Sequence, residues 1–358
     1  MQTRESAFNM RAYMNPILQV SLWHQLGAAT DMLENAIVAC PDALWSDREQ
    51  QPEFWYLAYH TLFFLDYYLS ETADGFAPPA PFGLEELDPA GVLPKRPFTR
   101  AELLGYLEHG REKARALIES MAEETAGEIR RFNNNDWTVL EWLVNTIRHV
   151  QHHTAQLNLI LRQRTDTVPR WVASAARRAE GDGPGAIAAD TWRVLLWHHF
   201  GGAVDMLENA ITACPDALWD DRTRRPEFWY ATYHTLFFLD LYLSDSPDGF
   251  APPAPFTLGE LENTLPERPY RKDELLSYLE HGREKLRIVL GSLTDDKLRE
   301  VHRWWTREFS VLENLIYNMR HVQHHAAQLN LILRQQTDSA PNWVGPTQRP
   351  LSTPGLQI

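Results

Sequence analysis

The sequence predicts an all-α protein built as two tandem four-helix bundles. Each bundle has up-down-down-up order, with a long proline-rich crossover between its second and third helices. Three observations carry this prediction. The 358-residue chain repeats itself: Leu22 to Trp45 (LWHQLGAATDMLENAIVACPDALW) returns as Leu196 to Trp219, 174 residues later, and Arg148 to Gln163 (RHVQHHTAQLNLILRQ) returns as Arg320 to Gln335. The repeated segments place apolar residues at three- and four-residue spacing, the period of a helix with one buried face. Each copy also holds a segment with six prolines, Glu71 to Phe98 and Asp245 to Tyr270, too long to be a turn between neighbouring antiparallel helices.

In the first unit, helix one runs from Gln19 to Val38 and stops at Cys40-Pro41, because proline cannot continue a helix. Helix two starts at Pro52, a favoured first helical position, and continues to about Leu69. Helix three opens at Thr99 with Glu102 three residues on, a capping box, and extends to about Glu123. Helix four opens in the same way at Thr138 and Glu141, matched by Ser310 and Glu313, and capping is a sufficient role for both glutamates. A crossover of 28 or 26 residues is long enough to run the length of a bundle, so helices two and three are predicted parallel and helices two and four antiparallel. The expected divisions are residues 1–172 for the first bundle, 173–190 for an Ala- and Gly-rich linker, 191–344 for the second bundle and 345–358 for a flexible tail.

Composition excludes several classes. A net charge of -14 repels a phosphate backbone, so nucleic acid is not an expected partner. The N-terminus lacks the apolar core of a signal peptide, and no run of about 18 apolar residues offers a membrane span, so a cytoplasmic protein with no membrane partner is expected. The two cysteines, Cys40 and Cys214, are repeat equivalents and form neither a disulfide framework nor a CxxC pair; both are expected as small buried residues.

Twelve of the 14 histidines fall into six repeat pairs, leaving His199 and His302 unmatched. His149 and His153 lie four apart on helix four, which separates their rings by about 40° and about 6 Å along the axis, so both can reach one point. His60, in the apolar and aromatic stretch Trp55 to Leu65, is suited to supply a third nitrogen, because an unpaired polar group there would be costly. The equivalents are His234, His321 and His325. Three neutral imidazoles around a divalent ion leave a position open for water or substrate, the arrangement of catalytic zinc sites. His152 and His324, three residues from His149 and His321, compete for the same site or stand beside it. His24 and His198 on helix one read as core or pocket lining, and His109 and His281 as a solvated face. No residue is assigned as nucleophile or as general acid or base.

A histidine in the middle of helix two, followed far downstream by HxxHHxxQ from His149 to Gln156, resembles the DinB-like superfamily of four-helix metalloproteins. The resemblance covers both repeat units. It implies His60, His149 and His153, then His234, His321 and His325, as ligands of zinc, nickel or iron, with zinc foremost, and Gln156 and Gln328 as the glutamine closing the motif. Where many relatives carry an arginine straight after the second helix-four histidine, this chain has Thr154 and Ala326. The resemblance further implies a metal-dependent transferase or isomerase using a low-molecular-weight thiol, or a hydrolase on a small molecule. The alternative is a non-catalytic metal-binding or scaffold protein in which the ion is structural. Related single domains pair as dimers, so the two units are expected to form an internal pseudo-dimer.

Overall fold

The computed structural model of the protein describes residues 16–49, 51–165, 169–175 and 189–351. The first unit comprises α1 (Pro16–Ala39), α2 (Asp42–Trp45), α3 (Phe54–Tyr68), α4 (Arg100–Ser120), α5 (Glu123–Gly127), a hairpin of β1 (Ile129–Phe132) and β2 (Asn135–Thr138), and α6 (Val139–Thr165). The second unit runs through the same architecture: α7 (Ala189–Ala213), α8 (Asp216–Trp219), α9 (Phe228–Tyr242), α10 (Gly259–Glu262), α11 (Lys272–Gly291), a hairpin of β3 (Val301–Trp304) and β4 (Arg307–Ser310), and α12 (Val311–Thr337).

The protein is all-α apart from the two small hairpins, and the long helices of each unit run up, down, down, up. At one end of the first bundle, the indole of Trp45, after α1, donates to the carbonyl of Phe98, just before α4, at 3.1 Å, and Trp55 at the start of α3 meets Phe98 edge-on. Helices α3 and α4 are therefore parallel. Gln19 near the start of α1 donates to Ile118 O at the end of α4, so these two are antiparallel. Tyr68 at the end of α3 stacks on Trp142 at the start of α6, with ring centroids 4.9 Å apart, so α3 and α6 are antiparallel and face each other across the core. The proline-rich segment makes the crossover that this order requires, and places a single 3-10 turn, Glu85–Leu87, beside α3.

The hairpins are not apparent from helical periodicity. In the first, Asn133 and Asn134 both adopt left-handed backbone conformations (φ 49° and 64°), which asparagine tolerates better than most residues, and the turn folds β1 back on β2. Phe132 and Trp137 of the hairpin pack against Trp142, fixing where α6 begins. Helix α4 accordingly ends at Ser120, a little before the expected Glu123.

Two expectations about connections change. Residues 345–351, expected in a flexible tail, pack on α7: Thr347 N–H donates to His198 O at 2.8 Å, and Trp197 Nε1 donates to Arg349 O at 2.6 Å. Gly201 and Gly202 permit this approach, since a Cβ on Gly202 would lie 2.1 Å from Gly345 O. The expected linker is ordered at its start, where Ala175 N–H donates to His24 O at 3.0 Å, and its last two residues belong to α7. Residues 176–188 and 352–358 lie outside the described residues. No helix among the described residues is long and apolar enough to cross a membrane.

The units meet along α6 and α12 through contacts that recur with their repeat equivalents. Arg148 Nε donates to Gln323 Oε1 at 3.0 Å and Arg320 Nε to Gln151 Oε1 at 3.0 Å, while Gln163 and Gln335 exchange amide hydrogen bonds. Both arginines are fully buried, with no carboxylate of the described residues within salt-bridge distance, and burial lowers Arg148 to about 9 and Arg320 to about 10. Both remain charged at neutral pH. Arg148 also donates to the carbonyls of Val344 and Gly345 at 2.8 Å each, so it fixes the chain that follows α12 onto the first unit. Arg320 does the same, at greater length, with Val172 and Ala173 after α6.

Candidate metal centres

Helices α3 and α6 bring His60, His149 and His153 together, and α9 and α12 bring His234, His321 and His325 together. Within each triad one ligand nitrogen per ring lies within 4.8 Å of the others. Ring centroids in the first triad are 5.4, 4.8 and 4.6 Å apart, and in the second 5.4, 4.9 and 4.7 Å. A tetrahedral ion with bonds of about 2.05 Å needs nitrogens about 3.3 Å apart, which small ring rotations reach from this arrangement.

The hydrogen bonds leave nitrogens free for a ligand role. His60 Nδ1 lies 2.7 Å from Glu86 Oε2, so Nδ1–H donates to the carboxylate and Nε2 is left facing the cluster. His153 Nδ1–H donates to Gln156 Oε1 at 2.9 Å with the same result. His149 Nδ1 and His321 Nδ1 are buried without a hydrogen-bond partner among the described residues, and no such bond ties either ring away from the cluster. His149, His153, His321 and His325 are held well below the usual histidine value of 6.5 by burial, reinforced by the neighbouring imidazoles, so all four are neutral at pH 7 as a metal requires. A donor set of three imidazoles, two of them with oriented second nitrogens, fits a divalent ion such as zinc.

Glu86 and Glu260 are the residues that sequence reasoning missed. Glu86 sits on the 3-10 turn of the crossover with its side chain only 5 % exposed, and Glu260 on α10 lies 3.1 Å from His234 Nδ1. A carboxylate behind a ligating imidazole fixes its tautomer and raises its basicity. The signal was present: both pairs are separated by 26 residues, although the neighbouring Glu85 became Gly259.

The other candidates divide. His152 and His324 line the pockets but face the opposite unit: His152 is flanked by Gln156 Nε2 at 3.2 Å and Gln323 Nε2 at 2.9 Å, and His324 by Gln328 Nε2 and Gln151 Nε2. Burial lowers both to about 3. Gln156 and Gln328 thus join a triad member to this interface histidine. His24 and His198 do not line either pocket. His24 Nδ1 meets Glu313 Oε1 of the other unit at 3.1 Å, and His198 lies 3.7 Å from Glu141, because the face of helix one that carries them packs between the units. Glu313 also departs from the expected capping role: Ser310 Oγ accepts its N–H, but its carboxylate receives Gln25 and Ser174. Cys40 and Cys214 are buried, which raises both thiols to about 12 and keeps them unreactive.

Each triad opens into a cavity, of about 500 Å³ in the first unit and about 560 Å³ in the second. The walls are aromatic: Tyr56, Phe64 and Tyr68 in the first, Tyr230, Phe238 and Tyr242 in the second. The opposite unit closes each one. Trp343, carried by the chain after α12, lies 5.3 Å from His152, and Trp171, after α6, lies 5.2 Å from His324.

Comparison with protein families matches the DinB superfamily over residues 25–157, the span that holds the first triad. No curated protein and no solved structure matches the chain.

Proposed function

From the match of residues 25–157 to the DinB superfamily, we propose that the chain is a divalent-metal-dependent enzyme acting on a small molecule, either a transferase using a low-molecular-weight thiol or a hydrolase using water. The observation that carries this reading is the pair of three-histidine clusters, each at a cavity of about 500 Å³ or more with no Cys, Asp or Glu in its lining to take a fourth coordination position. An ion bound there, zinc foremost and otherwise nickel or iron, would lower the pKa of a bound thiol or water and so supply a nucleophile near neutral pH.

The chain's own residues prepare the site. Glu86 and Glu260 hold the Nδ1 protons of His60 and His234, and Gln156 and Gln328 those of His153 and His325, so the imidazoles keep one tautomer and one orientation. Tyr68, Phe64 and Trp343 wall the first cavity with apolar surface and limit water, which strengthens every electrostatic interaction inside. A purely structural ion accounts less well for these features. Helices α3 and α6 are already joined by apolar packing and by Tyr68 on Trp142, and an ion acting as a clamp needs no cavity.

The reciprocal contacts of α6 and α12 support reading the chain as a dimer fused into one polypeptide, an internal pseudo-dimer with one site per half. The test of function is turnover by zinc-loaded protein of a panel of electrophiles with mycothiol, bacillithiol or glutathione, and of ester and amide substrates without thiol. Conjugation or hydrolysis that disappears on metal removal and returns on reloading is expected. Full metal loading with no turnover above the stripped control, together with a large loss of thermal stability on stripping, would give the site to structure instead.

A further inference from the structure

We propose that each pocket binds an oxyanion of its substrate, a carboxylate or a phosphate, through an arginine delivered by the opposite unit: Arg334 at the first triad and Arg162 at the second. The proposal extends the metal-enzyme reading by naming the substrate class and the residue that selects it.

Four observations meet here. The first cavity is lined by α3 and α6 of its own unit, but also by Asn330 and Arg334 of α12, and the second by Asn158 and Arg162 of α6, their repeat equivalents; Arg170, after α6, is a further cation of the second lining, where the first has Asn342. The guanidiniums of Arg334 and Arg162 are exposed, and no carboxylate pairs with either among the described residues, whereas most arginines of this chain are matched to Asp or Glu. Neither cavity has an Asp or Glu in its lining. In a chain of net charge -14, two pockets whose only ionised lining side chains are arginines are local exceptions that concentrate anions where the rest of the surface repels them. Finally, the amide oxygens of Asn158 and Asn330, on residues 2 % and 5 % exposed, have no hydrogen-bond partner, so each pocket holds an unsatisfied polar group one helical turn from its arginine.

The chemistry follows. A guanidinium presents a planar fork of donors that matches a carboxylate or phosphate in two parallel hydrogen bonds. The aromatic walls accept an apolar body, the arginine holds the charged end, and the free asparagine amide receives a donor on the ligand. The imidazoles of the triad add no competing anion. Since the arginine and the triad of one pocket belong to different units, a single unit would have the metal cluster without the group that selects the substrate, which gives a reason for keeping both units in one chain.

The test is calorimetric titration of the full chain with benzoate, phenyl phosphate and the uncharged benzyl alcohol, with zinc content measured in parallel. Benzoate or phenyl phosphate, but not benzyl alcohol, should bind, and the preferred one identifies carboxylate or phosphate as the anion. The double variant Arg162→Gln/Arg334→Gln, altered only at exposed side chains, should keep the zinc of the wild type and bind the anion about tenfold more weakly, the effect of losing one charge-assisted contact. The crossed variants locate the arginine. Arg334→Gln and His60→Ala should perturb the same one of the two anion sites, and Arg162→Gln and His234→Ala the other. Anion affinity unchanged in the double variant, no anion binding by the wild type at millimolar concentration, or equal binding of benzyl alcohol would overturn the proposal. Absence of zinc would instead refute the metal reading, and the ratio of wild-type to variant anion affinity in metal-free protein would still decide the role of the arginines.

Discussion

Truncating Glu86 isolates the part of the site that lies behind the ligands. Its Oε2 receives the Nδ1 proton of His60 at 2.7 Å, and with the carboxylate only 5 % exposed the bond is little screened by water. A hydrogen bond to a charged group contributes about 1.5 to 3 kcal/mol, and every tenfold change in affinity corresponds to about 1.4 kcal/mol. Glu86→Ala is therefore expected to weaken zinc binding at the first site by roughly 10- to 100-fold, the usual consequence of removing such a support. The bond from His234 to Glu260 is longer, 3.1 Å, so Glu260→Ala should fall at the lower end of that range. Glu86→Gln keeps an acceptor but loses the charge, and should lie between wild type and alanine. Competition against a chromogenic chelator, in a background where His234→Ala has removed the second site, measures the constant directly. Zinc affinity within twofold of the parent in Glu86→Ala, with thermal stability unchanged, would refute the reasoning.

Two further outcomes are expected. Gly202→Ala places a Cβ 2.1 Å from Gly345 O and 3.1 Å from Arg148 Nη1, so the chain after α12 must move away; a loss of about 1 to 3 kcal/mol and faster proteolysis near residue 345 should follow, and an unchanged cleavage rate would contradict the packing described. The metal-free protein should lose stability as pH falls below about 6.5. His149, His153, His321 and His325 are held well below 6.5 and His152 and His324 near 3 in the folded state, whereas unfolded histidines titrate near 6.5, so below that value the unfolded chain binds more protons and each such histidine costs up to about 1.4 kcal/mol per pH unit. Melting temperatures should be nearly constant from pH 7.5 to about 6.5 and decline from there to pH 5; a profile that stays flat to pH 5 would mean that the imidazoles are not buried.

The fold was legible because duplication printed each helix twice and because two segments with six prolines each could serve only as crossovers. His60 and the pair on α6 were legible because helical spacing alone aligns His149 with His153, and because a lone imidazole among Trp55, Phe63 and Phe64 demanded a partner. Glu86 was not, since the crossover has no period and the position of its 3-10 turn beside α3 depends on the path of the whole segment. Nor could sequence place Trp171 and Trp343 over the opposite triads or set Arg162 and Arg334 at those pockets: that geometry arises from the packing of α6 on α12, which no local pattern encodes. His24 was legible only as far as its burial. A polar residue on the apolar face of α1 reads as core or pocket lining, and the histidine is buried where the other unit covers that face and Glu313 meets it.

Metal content measured by mass spectrometry on protein purified without an affinity tag tests the coordination claim most directly. The account predicts two divalent ions per chain, one in His60→Ala or His234→Ala, and none in the double variant, with the folded state retained in each. A wild-type chain that takes up no ion on exposure to zinc, nickel or iron, or a stoichiometry that is the same with and without His60 and His234, would contradict it.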